Sequence, residues 1–261
     1  MKKPLIGLIC TLLILSVTTI SWKPATPGAP VSASNNPLSA RELLEKYVNN
    51  VYESANLQES GLTFNVFKKA LTGFINLKIS NKLPQTSSIL TVIDFAKSSC
   101  EKRMWIIDVI NKQLVLKTWV AHGHGSGKEM ATRFSDKMNS FKSSLGFYLT
   151  DQVYYGKHGR SLKLDGMDPG FNTNARAREI VVHAADYVGQ SVIDKQGRLG
   201  CSQGCPAVAP EVADQVIDAI KDKTVIFING NVNHYYSKYL DEGLAANFIA
   251  SDSTGNYIAG L

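Results

Sequence analysis

The hydrophobic period of the chain changes near residue 88, and this change constrains the fold more than any other feature. Before it, apolar residues recur at the spacing of amphipathic helices; after it come short runs rich in β-branched and aromatic residues, typical of strands. The predicted strands are 89–95, 104–110, 113–120, 146–150, 152–155, 161–164, 179–183 and 224–228. Many short strands with few helices indicate a mainly β domain, a sandwich or barrel, and not a doubly wound sheet.

Helical patterns flank these strands. Helices are predicted over 40–53, 63–78 and 210–221. The first is preceded by Ser39 and followed into its first turn by Glu42, which is the spacing of a capping box. The first two helices form a predicted helical prelude at 39–84, in which we find no residues that suggest chemistry.

The N-terminus has the pattern of an export signal. Two lysines precede an apolar run over 5–20, and Val31-Ser32-Ala33 has the small residues that a signal peptidase accepts. Residues 1–33 are therefore predicted to be a signal peptide and 34–38 a linker, with the exported protein in the periplasm or cell envelope. The alternative is an uncleaved signal anchor, although the apolar run of about 16 residues is shorter than the roughly 20 that span a bilayer.

The net charge argues against nucleic acid as a partner. The whole chain has a formal charge of +6, but three of its 28 basic residues lie in the leader, which leaves 25 against 22 acids, or +3. No arginine-rich run or aromatic platform supports binding to nucleic acid. A mildly basic surface suits an anionic polymer such as a cell wall, and it equally suits a protein that is kept soluble by its charge.

Three cysteines lie beyond the predicted leader: Cys100, Cys201 and Cys205. An odd number leaves at least one thiol unpaired within the molecule. In an oxidising compartment an unpaired thiol is a liability unless it is buried or functional. The unpaired cysteine is therefore a candidate for chemistry.

Two segments of the second half have the residue types of nucleophilic catalysis. One is a predicted strand that ends at His183, and the other is a glycine-rich loop, 197–207, that contains Cys205. A cysteine attacks as its thiolate, so it needs a base such as imidazole, which can return the proton to a leaving amine. Gly204 lets the backbone turn so that successive N–H groups can face a developing oxyanion.

The residue types alone leave other interpretations open. A histidine at the end of a strand is often structural, and Cys201 and Cys205 could equally form a disulfide or half of a metal site. A zinc site needs further ligands. His122 and His124 are available, but their spacing from the two cysteines is not diagnostic, and no metal is predicted.

Taken together, the motifs resemble a known enzyme family. His183, a gap and then Ser202-Gln203-Gly204-Cys205 are similar to the L,D-transpeptidase (YkuD-type) signature, in which a histidine is followed by Ser/Thr-His-Gly-Cys. The longer stretches resemble a divergent branch, the murein L,D-transpeptidase catalytic domain proteins. Those stretches are 119–127, 143–148, 155–159, 178–188 and 197–208, and the resemblance covers roughly residues 85–235. The chain departs from the signature at Gln203, where histidine is usual, and at Pro206-Ala207, where an arginine is common.

The resemblance implies a fold, a substrate class and partners. The expected fold is a mainly antiparallel β-sandwich with flanking helices, with the catalytic domain at 85–240 and a C-terminal tail at 241–261. Peptidoglycan stem peptides are the expected substrates, and no cofactor is needed. Contact with a membrane is expected only through the leader, if it is uncleaved.

The resemblance also implies roles for residues. Cys205 is expected to attack the carbonyl between the L-centre of a diamino acid and the terminal D-residue of a stem peptide, while His183 shuttles the proton. The Ala184 carbonyl is expected to orient the imidazole, and the N–H groups of Gly204 and Cys205 to bind the oxyanion. Substrate contacts are expected from Ser202, Gln203, Arg178, His122, Tyr148 and His158, with Arg160 or Arg198 as further replacements for the family's arginine.

Two rival functions fit the same residues. The nearer one is an L,D-carboxypeptidase or amidase, in which water resolves the same acyl-enzyme. The other is a wall-binding module whose catalytic machinery has degenerated, which Gln203 and Pro206 favour. Reaction with a thiol reagent or a carbapenem distinguishes an enzyme from a binding module.

Overall fold

The computed structural model describes residues 38–252, so the predicted leader, nearly all of the predicted linker and the last residues of the predicted tail lie outside the described residues. The strands are β1 (Ile89–Asp94), β2 (Met104–Asp108), β3 (Gln113–Thr118), β4 (Gly146–Gly156), β5 (Gly159–Gly166), β6 (Val181–Ala184), β7 (Ala207–Val208) and β8 (Val225–Asn229). The α-helices are α1 (Ala40–Ser54), α2 (Phe64–Ile79), α3 (Gln190–Gln196), α4 (Pro210–Ile220) and α5 (Glu242–Ala250). Within the described range, each helix is too short or too polar to cross a membrane.

The strands form one mixed sheet in the order β3-β2-β1-β8-β4-β5-β6-β7. The pairs β1–β8 and β6–β7 are parallel, and the other neighbours are antiparallel. The prediction of a mainly β domain with flanking helices is confirmed, but the sheet is mixed and not purely antiparallel. Bridges from Ala121 to Ala207 and from Gly123 to Ser202 connect the chain after β3 to the far edge, so the sheet nearly closes on itself.

Helices α1, α2 and α5 share one apolar core with a face of the sheet. The predicted capping box of α1 is present: the Ser39 N–H donates to a Glu42 carboxylate oxygen at 2.8 Å, and the Glu42 N–H donates to Ser39 Oγ at 3.3 Å. Gly73 lets α2 approach the sheet closely, because a Cβ at this position would lie 1.9 Å from the ring of Phe147. The predicted prelude is therefore a layer of the same core, and the predicted tail contributes α5 to it.

Helix α4 packs against the other face of the sheet. There it contacts β5 and β6, which lie next to the candidate site. Its apolar side, which includes Val216, Ile217 and Ile220, belongs to a second core cluster with Leu162 of β5 and Val182 of β6. Alternate residues of β1 and β8 point into the two clusters, as the pleat of a strand requires. The central strands β1 and β8 are therefore buried on both faces, which holds them in a rigid frame.

The predicted elements differ from the observed ones at irregular backbone. The strands predicted at 146–150 and 152–155 are one strand, β4, whose register with β5 shifts in its middle. The strand predicted over 179–183 starts later, because Glu179 has φ of 54°, a left-handed conformation that a strand cannot contain. The strand predicted over 104–110 ends earlier, and residues 109–112 connect β2 to β3.

Candidate active site

Pairing of β6 with β7 brings the predicted base and the predicted nucleophile to one place. His183 lies opposite Ala207 in this parallel pair, and Ala184 lies opposite Val208. Only Pro206 separates Cys205 from Ala207 in the chain. The pairing therefore holds the loop that carries the Cys205 thiol beside His183. The side chains of His183 and Cys205 line the same cleft.

The chain after β3 holds the nucleophile loop (residues 201–206) from its other side. The Ser202 N–H donates to the His122 carbonyl at 2.9 Å. Gly123 lies so close that a Cβ there would be 2.8 Å from the Cα of Gly204 and 2.9 Å from its nitrogen. Only glycine at position 123 permits this contact, which explains part of the glycine-rich motif around it.

Ser202 shapes the nucleophile loop from within. Its Oγ accepts the Gly204 N–H at 3.0 Å and donates to the Cys205 carbonyl at 2.6 Å, while Ser143 Oγ donates to the Gly204 carbonyl at 3.2 Å. Gly204 has φ of 130°, which favours glycine. The Gly204 N–H, expected as an oxyanion donor, is therefore engaged inside the loop. The Cys205 N–H has no hydrogen-bond partner among residues 38–252.

His183 is held in one tautomer. Its side chain is buried at the end of β6, and Nδ1 lies 2.7 Å from the Ala184 carbonyl. A carbonyl can only accept, so Nδ1 carries the proton and Nε2 of the neutral ring keeps its lone pair. Burial lowers the pKa of His183 from its ordinary value, which keeps the ring neutral and competent as a base. The expected orienting contact with Ala184 is thus present.

Cys205 carries a free thiol that is also held by the main chain. It forms no disulfide with Cys100 or Cys201, and it donates a hydrogen bond to the Glu179 carbonyl at 3.5 Å. Burial raises the pKa of the thiol, although the Val181 N–H acts in the opposite direction. Because the pKa of the base is lowered and that of the thiol is raised, the resting pair is a neutral thiol and a neutral imidazole.

The cleft above this pair has a volume of about 880 Å³. One wall is apolar and comes from Met138 and Phe141, whose side chains are 54% and 39% exposed. Besides His183, the Lys, Arg, His, Asp and Glu side chains that line it are mostly basic: Lys157, His158, Lys163, Arg176, Arg178 and, as the one acid among the described residues, Glu179. Gln203, expected as a substrate contact, also lines the cleft and is exposed.

His158 lies directly against the predicted base. Its ring stacks on that of His183 with a centroid separation of 4.2 Å and an interplanar angle of 23°. His158 is exposed and lines the cleft, so the structure brings it to the site as expected. His158 contacts the imidazole of His183 and also borders the space that a substrate would fill.

Residues 135–144 form one wall of the cleft, and we call this segment the strap. Arg178 holds the strap in place. Its Nη1 donates to the Ser135 carbonyl at 2.8 Å and to Ser144 Oγ at 3.0 Å, and its Nη2 donates to the Lys142 carbonyl at 2.6 Å. The side chain is only 4% exposed. Contrary to the expectation of a substrate contact, the guanidinium is used to hold the strap in place.

His122 and Tyr148, both expected to contact substrate, are core residues. His122 is fully buried, and its Nδ1 accepts from Arg103 Nη2 at 2.7 Å. Burial, reinforced by Arg103, lowers the pKa of His122 to about 4. Tyr148 is fully buried and donates to the Ser144 carbonyl at 3.0 Å. Neither side chain lines the cleft.

The two further arginines considered for substrate binding are also engaged elsewhere. Arg160 pairs with Asp214 at 3.0 Å and with Asp218 at 2.6 Å on α4. Arg198 donates to the Leu199 carbonyl at 2.8 Å. Neither one lines the cleft.

Cys201 lines the cleft, but its sulfur faces main-chain carbonyls. It lies 3.8 Å from the oxygens of Gly127 and Lys128. Within the described part of the chain, no three His, Cys, Asp or Glu side chains are grouped so that they could hold a metal ion.

The fold and the site define a domain that presents a cysteine and a histidine in one basic cleft. Residues 58–229 match the family model of the L,D-transpeptidase catalytic domain (YkuD_2). Because the match covers well over half of the sequence, the chain belongs to this family. The family resemblance predicted from the motifs is confirmed.

Matches among solved structures include several L,D-transpeptidases. The L,D-transpeptidase from Mycobacterium smegmatis is 13% identical over 54% of this chain and 58% of that chain, with a TM-score of 0.33. The L,D-transpeptidase from Xylanimonas cellulosilytica is 15% identical over 56% and 63%, with a TM-score of 0.33. The helical cell shape determining protein Pgp2 from Campylobacter jejuni is 14% identical over 69% and 61%, with a TM-score of 0.35. The chain thus spans about six tenths of the length of these structures, and comparison with curated proteins found no match.

Several residues of the site were not predicted from the sequence. The Glu179 carbonyl accepts from the thiol, and Met138 and Phe141 of the strap line the cleft. No sequence motif indicates either contact, because both depend on how the chain folds. Lys157 was within reach of sequence reasoning, because it precedes His158 in one of the stretches that carry the family resemblance.

Proposed function

We propose that the protein is an exported cysteine transpeptidase that cross-links peptidoglycan stem peptides. The observation that carries this proposal is the parallel register that sets His183 beside the loop of Cys205, in a cleft of a chain that belongs to the L,D-transpeptidase catalytic domain family. Nucleophile, base and an unpaired N–H at the nucleophile are the parts that acyl transfer requires.

The proposed reaction uses these parts in two steps. His183 Nε2 takes the thiol proton as Cys205 Sγ bonds to the carbonyl carbon between the diamino-acid L-centre and the terminal D-residue. The Cys205 N–H donates to the oxyanion, and the C–N bond then breaks as His183 protonates the leaving D-amino acid. The amine of a second stem attacks the thioester, gives its proton to His183, and releases the cross-linked product as the thiol is restored.

The charge of the cleft supports an anionic peptide as the substrate. Arg176 and Arg178 are already engaged, the first by Asp151 and Asp165 and the second by the strap. Lys157 and Lys163 line the cleft and form no ion pair among residues 38–252. Stem peptides carry carboxylates, and we assign these two lysines to them.

Export is part of the proposal and rests on the leader. The predicted signal peptide at 1–33 has a basic start, an apolar run and small residues at its end. N-terminal sequencing of the protein from the cell envelope is expected to find Ser34 as the first residue. Recovery of an intact Met1 in the membrane fraction would change the assignment to a signal anchor.

Product analysis tests transfer against its rivals. The purified chain is incubated with a disaccharide tetrapeptide donor, and the products are identified by mass spectrometry. Cross-linked dimers that require Cys205 support the transpeptidase. Tripeptide alone identifies the carboxypeptidase, in which water resolves the acyl-enzyme, and binding without any product identifies the degenerate wall-binding module.

A further inference from the structure

The turn between β4 and β5 holds His158 in a fixed position. Gly156 and Gly159 pair with each other at the end of the hairpin, so Lys157 and His158 form a two-residue turn, the tightest connection of antiparallel strands. Gly159 has φ of 72°, a conformation that suits glycine in such a turn. The backbone at His158 is therefore held by the pairing of β4 with β5.

The same strand frame carries the base. Strand β5 continues from the turn and pairs with β6, where Ser161 lies opposite His183. The two imidazoles stack at 4.2 Å although His158 is exposed and His183 is only 2% exposed. His158 thus covers a face of the base that would otherwise open onto the cleft.

We infer that His158 is a positioning residue for the base: its ring, stacked on the imidazole of His183, holds that imidazole in place and covers it on the side of the cleft. This inference rests on the proposed function in assigning His183 as the base. The role differs from that of a substrate contact, because it acts on the enzyme before any substrate is bound.

Stacking limits the freedom of the base. The imidazole is also held by the hydrogen bond from Nδ1 to the Ala184 carbonyl and by the burial of the side chain. The hydrogen bond fixes one atom of the ring, whereas the stacked neighbour restricts rotation of the ring on the side of the cleft. A base that is held in one orientation gives a higher rate than one that moves, because a small displacement from the reactive geometry lowers the rate steeply.

Charge adds a second effect. Histidine is the side chain that changes charge between about pH 5 and 8. An imidazolium at position 158 opposes a second positive charge on His183, and His158 and Lys157 both lower the pKa of the base in addition to the larger effect of burial. The other charged or titratable groups around the cleft are Tyr154 on β4, Lys163 on β5, Arg176, Arg178 and Glu179 before β6, Tyr187 after it, and Cys201 and Cys205 on the nucleophile loop.

Two substitutions separate ring from charge. His158→Phe keeps a flat ring without a charge, and His158→Ala removes both. Tyr155→Ala is the matched control, because Tyr155 lies on the same hairpin, is 81% exposed and does not line the cleft. Lys157→Gln removes the neighbouring charge and keeps both rings.

The first readout is an NMR titration of the histidines in the resting enzyme, with the His183 signal assigned by its loss in His183→Gln. Both His158 variants are expected to raise the titration midpoint of His183, and Tyr155→Ala is expected to leave it unchanged. Titration midpoints that are unchanged in both His158 variants would overturn the role of charge.

The second readout is the rate of Cys205 acylation against pH. His158→Phe is expected to move the acid limb to higher pH and to keep the maximal rate, whereas His158→Ala is expected to lose about tenfold or more at its optimum as well. A folded His158→Ala that acylates at the wild-type maximum would overturn the positioning role. If the wild type is never acylated while the NMR shifts occur, the proposed function fails and the coupling of the two histidines stands.

Discussion

His183 on β6 lies opposite Ala207 on β7. Because of this parallel pair, His183 and Cys205, which are separated in the sequence, line one cleft. Parallel neighbours require a crossover, which here runs through α3 and the nucleophile loop. The loop therefore returns to the sheet with Cys205 just before the new strand. The pairing of β6 with β7 consists of only two residue pairs.

The shifted pKa of His183 predicts the pH range of the reaction. The proposed base acts as the neutral ring, and the pKa of His183 lies below the ordinary 6.5 because burial disfavours the charged form. Acylation is therefore expected to persist as the pH falls to 6.5 and to be lost only below it. Stopped-time mass spectrometry of the acyl-enzyme across pH measures this limb. An acid limb centred above 6.5 would contradict the environment described for the base.

Because His122 is buried, the free energy of unfolding is expected to decrease as the pH is lowered. Its folded pKa of about 4 lies below the ordinary 6.5, so the unfolded chain binds a proton that the folded chain excludes between these values. Stability is full above pH 6.5 and decreases toward pH 4, by roughly 2–3 kcal/mol for this group. Urea unfolding across this range measures the slope. His122→Gln, which can still accept from Arg103 but does not titrate, is expected to flatten it.

Gly123 is expected to be required for an active nucleophile loop. A Cβ at this position would lie 2.8 Å from the Cα of Gly204 and 2.5 Å from the Phe141 carbonyl, so Gly123→Ala must displace the loop, the strap or both. We expect acylation to fall by at least about 10²-fold.

Gly243→Ala in α5 is the control for Gly123→Ala, because its nearest neighbour is a side-chain oxygen of Asp241 at 3.3 Å. Gly243 lies in the first turn of α5 and does not line the cleft, so Gly243→Ala is expected to change the stability by less than about 1 kcal/mol and to keep activity. Acylation rates and thermal unfolding of both variants test the pair. A fully active Gly123→Ala would show that the contact with Gly204 is not needed.

Cys201 is expected to be a bystander. Its sulfur faces the carbonyls of Gly127 and Lys128, and it forms no disulfide with Cys205. Cys201→Ser is therefore expected to keep full activity under reducing conditions, and peroxide to inactivate wild type and variant alike. If dithiothreitol restores the oxidised wild type but not the oxidised variant, the two thiols form a redox switch. Loss of activity with a chelator would instead indicate a metal.

The sequence predicted those parts of the fold in which the hydrophobic pattern is strong. Helix α4 and the strands of the sheet centre carry runs of apolar residues with clear periods, and Ser39 with Glu42 marked the start of α1. Helix α3 buries no residue, and β7 has only two residues, so neither leaves a periodic signal. Their positions are set by the packing around the nucleophile loop and not by local preference.

The candidate site was predictable where a residue type dictates its chemistry. Cys205 and His183 lie together in the cleft, and the Ala184 carbonyl meets the imidazole. Residue type did not reveal burial, which makes His122 and Tyr148 core residues. Nor could a sequence indicate that the hydrogen-bond capacity of Arg178 or of the Gly204 N–H is already used by neighbouring loops.

The most direct test of the account is the intact mass of the protein after reaction with a stem tetrapeptide donor. The wild type is expected to gain the mass of the donor less that of the released D-amino acid, with the adduct on the peptide that contains Cys205. Cys205→Ala, folded by circular dichroism, is expected to gain nothing, and His183→Ala to acylate at least about 10²-fold more slowly. An adduct that persists in Cys205→Ala, or a wild type that is never acylated by the donor, would contradict the assignment of nucleophile and function.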